Sequence, residues 1–303
     1  MNCRNVESIV HRNVVAGRKI FPPIVPEMSR LRLLGNSDEQ EVLEFLNVRP
    51  VHTVVMASFI RDNGMKNADN RGKFYGYRSV RGMLEGVALI GHTTLIEARS
   101  EDSLTAFALA ARASEMPIHF MMSDGQTIET FWNRYADGKR APRLVCPELL
   151  FELTFPFPVQ KCRWDVRLAD ASELEQIAQA HDEVAFIESG SSPLAKDRVG
   201  FLKRCLKRIE QRRTFVVFEN GKLVFKADIA AETSDVVYLE GVYVAPEYRG
   251  QGVGSSCLAN LGLQLTERFE NVCLLSNVKF KNAHRSFLKA GFKNTGSCQT
   301  IFV

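Results

Sequence analysis

The chain has 303 residues, of which 45% are hydrophobic and 24% charged, and a formal net charge of +4. That composition excludes a disordered chain and suits one large or two medium domains, while bases dispersed without a long run argue against a nucleic-acid partner. The seven cysteines (Cys3, Cys146, Cys162, Cys205, Cys257, Cys273 and Cys298) contain no C-x-x-C pair, so neither a disulfide framework nor a metal site is expected, and a reducing, cytoplasmic location is.

Residues 1–25 have no continuous apolar region and no cleavage pattern, and read as an N-terminal tail rather than a signal peptide. The stretch Val51 to Ile60, interrupted by His52, is far short of a bilayer span, so no membrane partner is expected. Lys73 to Ser79 and Met83 to Ala98 read as strands, Ser100 to Ser114 as an amphipathic helix, Pro117 to Ser123 as a strand and Gln126 to Tyr135 as a helix. Phe155, Pro156, Phe157, Pro158 and Val159 form the expected linker, dividing residues 26–158 from residues 159–303.

Beyond the linker, Trp164 to Leu168 reads as a short strand. Asp170 caps a helix, with Glu173 in capping-box spacing and Leu174, Ile177 and Ala178 as its apolar stripe. Residues 182–197 read as a loop whose carboxylates Asp182, Glu183 and Glu188 suit a cationic acceptor or a solvated surface. Lys203, Arg204, Lys207, Arg208, Arg212 and Arg213 then stripe the wet side of a helix that turns Phe201, Leu202, Cys205, Leu206 and Ile209 inward. Thr214 to Phe218 and Lys222 to Ile229 form a hairpin through Asn220 and Gly221. Val236 to Val244 is a strand, and Val272 to Ser276 another. A helix from Lys281 to Ala290, stopped by Gly291, leads to a terminal strand ending at Val303.

The most telling segment joins the Val236 to Val244 strand to the helical pattern Leu258, Leu261 and Leu265 through Pro246, Arg249, Gly250, Gly252 and Gly254. Glycines there leave no side chain over the first N–H groups of the helix, which lack intrahelical partners and carry the positive end of its dipole; such a turn seats a diphosphate. No Gly-Lys-Ser/Thr follows, and the strand belongs to a hairpin rather than an opening βαβ unit, so a P-loop and a dinucleotide fold both fit poorly. The spacing R-x-x-G-x-G, preceded by V-x-V-x-P-E-Y, resembles the acetyl-CoA motif of the GCN5-related N-acetyltransferase (GNAT) superfamily.

The resemblance implies an α/β (α+β) fold with a mixed central sheet flanked by helices, and it covers residues 163–303 closely. The first half repeats the β-β-α-β-α succession, so the chain reads either as tandem GNAT-like folds whose C-terminal copy alone is intact, or as one such fold behind an unrelated α/β domain. Where the second half has its glycines, the first has Ser100, Glu101 and Asp102, whose carboxylates would repel a diphosphate. A degenerate first half would serve to wall off part of the acceptor cleft.

By the same resemblance, acetyl-CoA is held by Val242, Tyr243, Val244, Arg249, Gly250, Gln251, Gly252, Val253, Gly254 and Ser255, with Asn277 and Phe287 alongside. Glu240, placed by period-two alternation on the face of Val242 and Val244, corresponds to the general base of several members, or else is a structural carboxylate. The general acid common in the superfamily is a tyrosine four residues before the Gly291-Phe292 pair, but position 287 is phenylalanine; Tyr243, His284 or water is left to protonate the thiolate, or the thiolate leaves without direct protonation. The function implied is an acyl-CoA-dependent N-acetyltransferase acting on a small-molecule or peptide amine. The alternative is a non-catalytic acyl-CoA-binding or sensing protein.

Overall fold

The computed structural model describes residues 26–155, 157 and 162–303. The N-terminal tail, most of the expected linker and the first residues of the 159–303 segment lie outside the described residues. The first half runs β1 (Leu31–Leu33), α1 (Glu39–Leu46), α2 (Pro50–Asn63), β2 (Gly72–Arg78), β3 (Leu84–Gly91), β4 (Thr93–Ala98), α3 (Glu101–Ala113), β5 (Phe120–Asp124), α4 (Gly125–Ala136) and β6 (Leu144–Thr154). The second runs β7 (Arg167–Leu168), α5 (Leu174–Ser189), α6 (Pro193–Lys196), α7 (Arg198–Glu210), β8 (Thr214–Glu219), β9 (Lys222–Glu232), β10 (Val236–Val244), α8 (Val253–Thr266), β11 (Asn271–Asn277), α9 (Lys281–Lys289) and β12 (Lys293–Phe302). Among the described residues, no helix is long and apolar enough to cross a membrane.

All strands join one mixed sheet in the order β1-β2-β3-β4-β5-β12-β6-β11-β10-β9-β8-β7. Exchanging each element of the first half for its counterpart in the second reverses this order onto itself. β4 pairs parallel with β5, and β10 parallel with β11, while the remaining pairs are antiparallel. The last strand of each half has crossed over: β6 lies against β11, and β12 against β5. Phe151 and Leu153 of β6 are therefore buried in the core of the second half, whereas Ile301 of β12 is buried in the core of the first. Leu153 sits so close to α8 that a Cβ on Gly262 would clash with its Cδ2.

One expected loop is helical. Residues 182–189 continue α5, which ends at Gly190 in the left-handed conformation (φ 68°), and 193–196 form α6. No glycine or proline stands between Leu174 and Gly190 to end the helix, which accounts for the continuation. The short β7 also covers only the end of the strand expected from Trp164.

Candidate functional site

β10 and β11 are paired only from Val236↔Asn271 to Leu239↔Leu274, and then part. The cleft between them, about 460 Å³, is lined by Leu239 to Val244 on one side and Leu274 to Ser276 on the other, with Arg249 and Phe287 at its walls. A second depression of about 460 Å³ continues it over the glycine turn, sharing Val242, Val244, Arg249 and Phe287 and adding Gly250, Gly252, Val253, Gly254, Ser255, Arg285 and Lys289.

The turn has the shape its sequence suggests. Gly250 and Gly252 hold φ of 77° and 81°, a left-handed backbone that favours glycine, and a Cβ on either would project into open space. The first intrahelical bond of α8 runs from Ser256 N–H to the Gly252 carbonyl (3.0 Å), so the N–H groups of Val253, Gly254 and Ser255 precede it. Ser255 donates its hydroxyl to the Gly252 carbonyl, and Gln251 donates to Glu247 O at 2.7 Å rather than lining either depression. Arg249 is braced by donation to the Val244 carbonyl and to Glu183 of α5, both at 2.8 Å. In the first half, Ser100 instead caps α3 by accepting from Ser103 N–H, and Glu101 at the same entrance is bonded by Arg134.

The strand alternation assigned to Glu240 does not hold. Glu240 pairs with Asp228 and Tyr243 with Lys226, so one extra residue is inserted at Gly241 (φ 58°). This bulge resets the period-two pattern. Glu240 and Tyr243 share the face toward α5 and α7, while Val242 and Val244 pack with Leu239 against α8. Asn277 also stands apart: its Oδ1 accepts from Lys279 N–H, and its side chain lines a neighbouring cavity rather than the cleft. Phe287 is buried against Phe151 and His284, and His284 is held by the Asn277 carbonyl at 3.1 Å.

Beneath the bulge lies a buried charge network that sequence reading missed. Lys226 and Asp228 are 0% and 1% exposed and meet at 2.5 Å. Arg208 bridges Asp228 and Glu240, each at 3.0 Å, and Thr214 donates to Asp228 while His181 stands 3.3 Å from it. Burial alone would raise the Asp228 carboxyl, but Lys226 and Arg208 outweigh it and hold it well below the usual range. Lys226 also donates to the Gly241 carbonyl at 3.3 Å, fixing the bulge. The available signal was Lys226-x-Asp228 inside an apolar strand, a spacing that puts both charges on one face.

Glu188, expected on a loop, stands on the last turn of α5 where the cleft meets two further cavities, of about 410 and 110 Å³; it and Glu240 line all three. The cavities leave Glu188 accessible to solvent, yet the protein around it, with the charges of Glu240 and Glu148, pushes its carboxyl up to about 7. The folded chain therefore retains a proton between about pH 4.5 and 7 that the unfolded chain has released. Stability from this source is full below the lower value and lost as pH rises through the upper. Glu188→Gln is accordingly expected to raise Tm over the parent at about pH 8 and to leave it nearly unchanged at about pH 4. Differential scanning calorimetry at both values checks this; an equal shift at both would remove the raised titration.

Residues 210–294 match the family described as acetyltransferase (GNAT) domain. The fold is similar to a Drosophila protein (12% identity, 90% of this chain and 98% of that one, TM-score 0.67) and to an acetyltransferase from the GNAT family of Colwellia psychrerythraea (14%, 90% and 99%, TM-score 0.55). It is also similar to a tandem GNAT protein from the clavulanic acid biosynthesis pathway (12%, 89% and 97%, TM-score 0.55). No curated protein matches the sequence significantly. Residues 210–294 thus match a GNAT domain, and the fold of the chain is similar to that of a tandem GNAT protein. Among the described residues, no group of three or more His, Cys, Asp or Glu side chains is placed to hold a metal.

Proposed function

We propose that the protein transfers an acetyl group from acetyl-CoA to a primary amine. The observation that carries this reading is the continuity of the open glycine turn, the parted β10–β11 cleft and the junction at Glu188 and Glu240. In this reading Val253, Gly254 and Ser255 N–H groups with Arg249 hold the diphosphate, and Val242 to Val244 line the pantetheine. Bound there, acetyl-CoA supplies a thioester whose acyl carbon takes the amine nitrogen as the C–S bond breaks and the CoA thiol departs. Glu188 takes the amine proton, Glu240 sets the charge around it, and Tyr243, lining the same cleft, is the hydroxyl assigned to the departing sulfur. Burial and the Glu183 charge raise the Tyr243 phenol, so it keeps its proton near neutrality. The first half, with its capped and acidic α3, carries no CoA. Release of thiol from acetyl-CoA across a panel of amines tests the activity.

Phe287 favours a second reading, an acyl-CoA-binding or sensing protein, because it offers no proton where the superfamily commonly has a tyrosine. Acetyl-CoA affinity without amine-dependent thiol release would establish it.

The seat itself is tested by charge at constant shape. Gly252→Asn and Gly252→Asp share the left-handed strain, about 1–3 kcal/mol, and meet no neighbour. Calorimetry is expected to give the aspartate variant an acetyl-CoA affinity lower than the asparagine variant by on the order of tenfold, from repulsion of the diphosphate. Equal affinities would place the diphosphate elsewhere.

A further inference from the structure

The cavity of about 410 Å³ beyond the junction is built by both halves and differs in character along its length. One end is apolar: Phe59 of α2, Phe120 and Met122 of β5, and Phe302 of β12, with the Phe120 and Phe302 rings 5.8 Å apart. The other narrows into the recess of about 110 Å³, enclosed by Glu148, Glu188, Glu240, Tyr238 and His181, whose Nδ1 is turned to Asp228 at 3.3 Å, and opening on the donor cleft through shared Val184, Gly241 and Leu275. A water takes about 30 Å³, so the recess has room for an ammonium group with two or three waters around it. Among the described residues, the guanidinium lining this end, Arg208, is already shared between Asp228 and Glu240.

Register sets the spacing of the two ends. Thr300 donates its hydroxyl to Glu148 at 2.7 Å, and Phe302 lies two residues further along β12 on the same face, about 7 Å away. Resting on the reading of the site as an amine acetyltransferase, we propose that the acceptor is an arylalkylamine: a primary ammonium on a short linker from an aromatic body, with no carboxylate beside the amine. The ammonium enters the carboxylate recess and the ring lies between Phe59, Phe120 and Phe302. An α-carboxylate would face Glu148 and Glu188, while Arg208 and His181, the bases among the described lining residues, are both turned to Asp228. A sugar amine would set hydroxyls against the apolar end, where burial without a partner is costly.

Matched acceptors test this on the full chain. With acetyl-CoA, phenethylamine is expected to exceed ethylamine in kcat/KM by about ten- to hundredfold, the transfer of a phenyl ring out of water. It is expected to exceed phenylalanine and glucosamine by at least about tenfold. Thr93→Trp, which fills the apolar end from β4, is expected to raise KM for phenethylamine severalfold while leaving ethylamine turnover and acetyl-CoA affinity unchanged; Phe302→Leu gives a milder loss in the same direction. Phenylalanine or glucosamine used as well as phenethylamine, or no gain over ethylamine, would overturn the proposal while leaving the acetyltransferase reading intact. Should acetyl-CoA bind but no amine release thiol, the catalytic reading fails separately. Calorimetry of phenethylamine against phenylalanine on CoA-loaded protein then decides the acceptor class, tighter phenethylamine upholding it and equal or reversed affinity overturning it.

Discussion

Glu188→Gln is expected to lower kcat by about 10²- to 10⁴-fold with acetyl-CoA affinity unchanged, the effect of removing a positioned general base. Its carboxyl, pushed up to about 7, is poised to accept a proton near neutrality, and it stands at the meeting of the donor cleft and the two cavities. Glu240→Gln separates the two carboxylates. If Glu240 acts through its charge on Glu188, deleting that charge lowers the Glu188 carboxyl. The acid limb of the pH–rate profile then moves to lower pH, with a smaller loss of kcat. The sign follows because a base works deprotonated, and removing a neighbouring anion makes deprotonation easier. Abolished turnover in Glu240→Gln beside a near-normal Glu188→Gln would make Glu240 the base.

The glycine turn was legible because its chemistry is local: Arg249 to Gly254 form a backbone device whose sequence is its geometry. The bulge left a trace as well, since an isolated glycine inside the strand at position 241 signals one, but reading strict alternation through it put Glu240 on the wrong face. Glu188 was one of three neighbouring carboxylates that suit either a cationic acceptor or a solvated surface, and nothing in the sequence separated it from Asp182 and Glu183. In the structure those residues have separate employment, Asp182 accepting from Ser192 and Leu194 and Glu183 from Arg249. Only the third faces the cavity. Neither the Arg208–Asp228–Lys226 network nor the acceptor cavity could be assembled from sequence alone, because their parts come from elements as far apart as α2 and β12. Element order was readable from periodicity between Lys73 and Tyr135 and through most of the second half; β1, α1, α2 and β6 were not read, so the exchange of β6 and β12 between the halves could not be foreseen.

That exchange predicts that the two halves do not survive separation. A fragment spanning 162–303 leaves β11 without its partner from Asn271 to Asn277 and β12 without either neighbour. It also empties the places of Phe151 and Leu153, 1% and 0% exposed, in the second core. Losing an aromatic and an aliphatic side chain of this burial costs about 3–5 and 2–5 kcal/mol, together comparable with the whole stability of a domain at about 5–15 kcal/mol. Each fragment is thus expected to be unfolded or aggregated alone, its open strand edges adding a route to aggregation. Co-expression of the two fragments is expected to recover a one-to-one complex that binds acetyl-CoA, and the intact chain should melt in a single transition. A soluble 162–303 fragment that unfolds cooperatively and binds acetyl-CoA would show instead that β6 is dispensable to the second half. Gly262→Val tests the seam within the full chain. Its side chain would be driven into Leu153, at an expected cost of about 1–3 kcal/mol from overpacking. The consequence is a lower Tm for the whole molecule, since one core fastens strands from both halves.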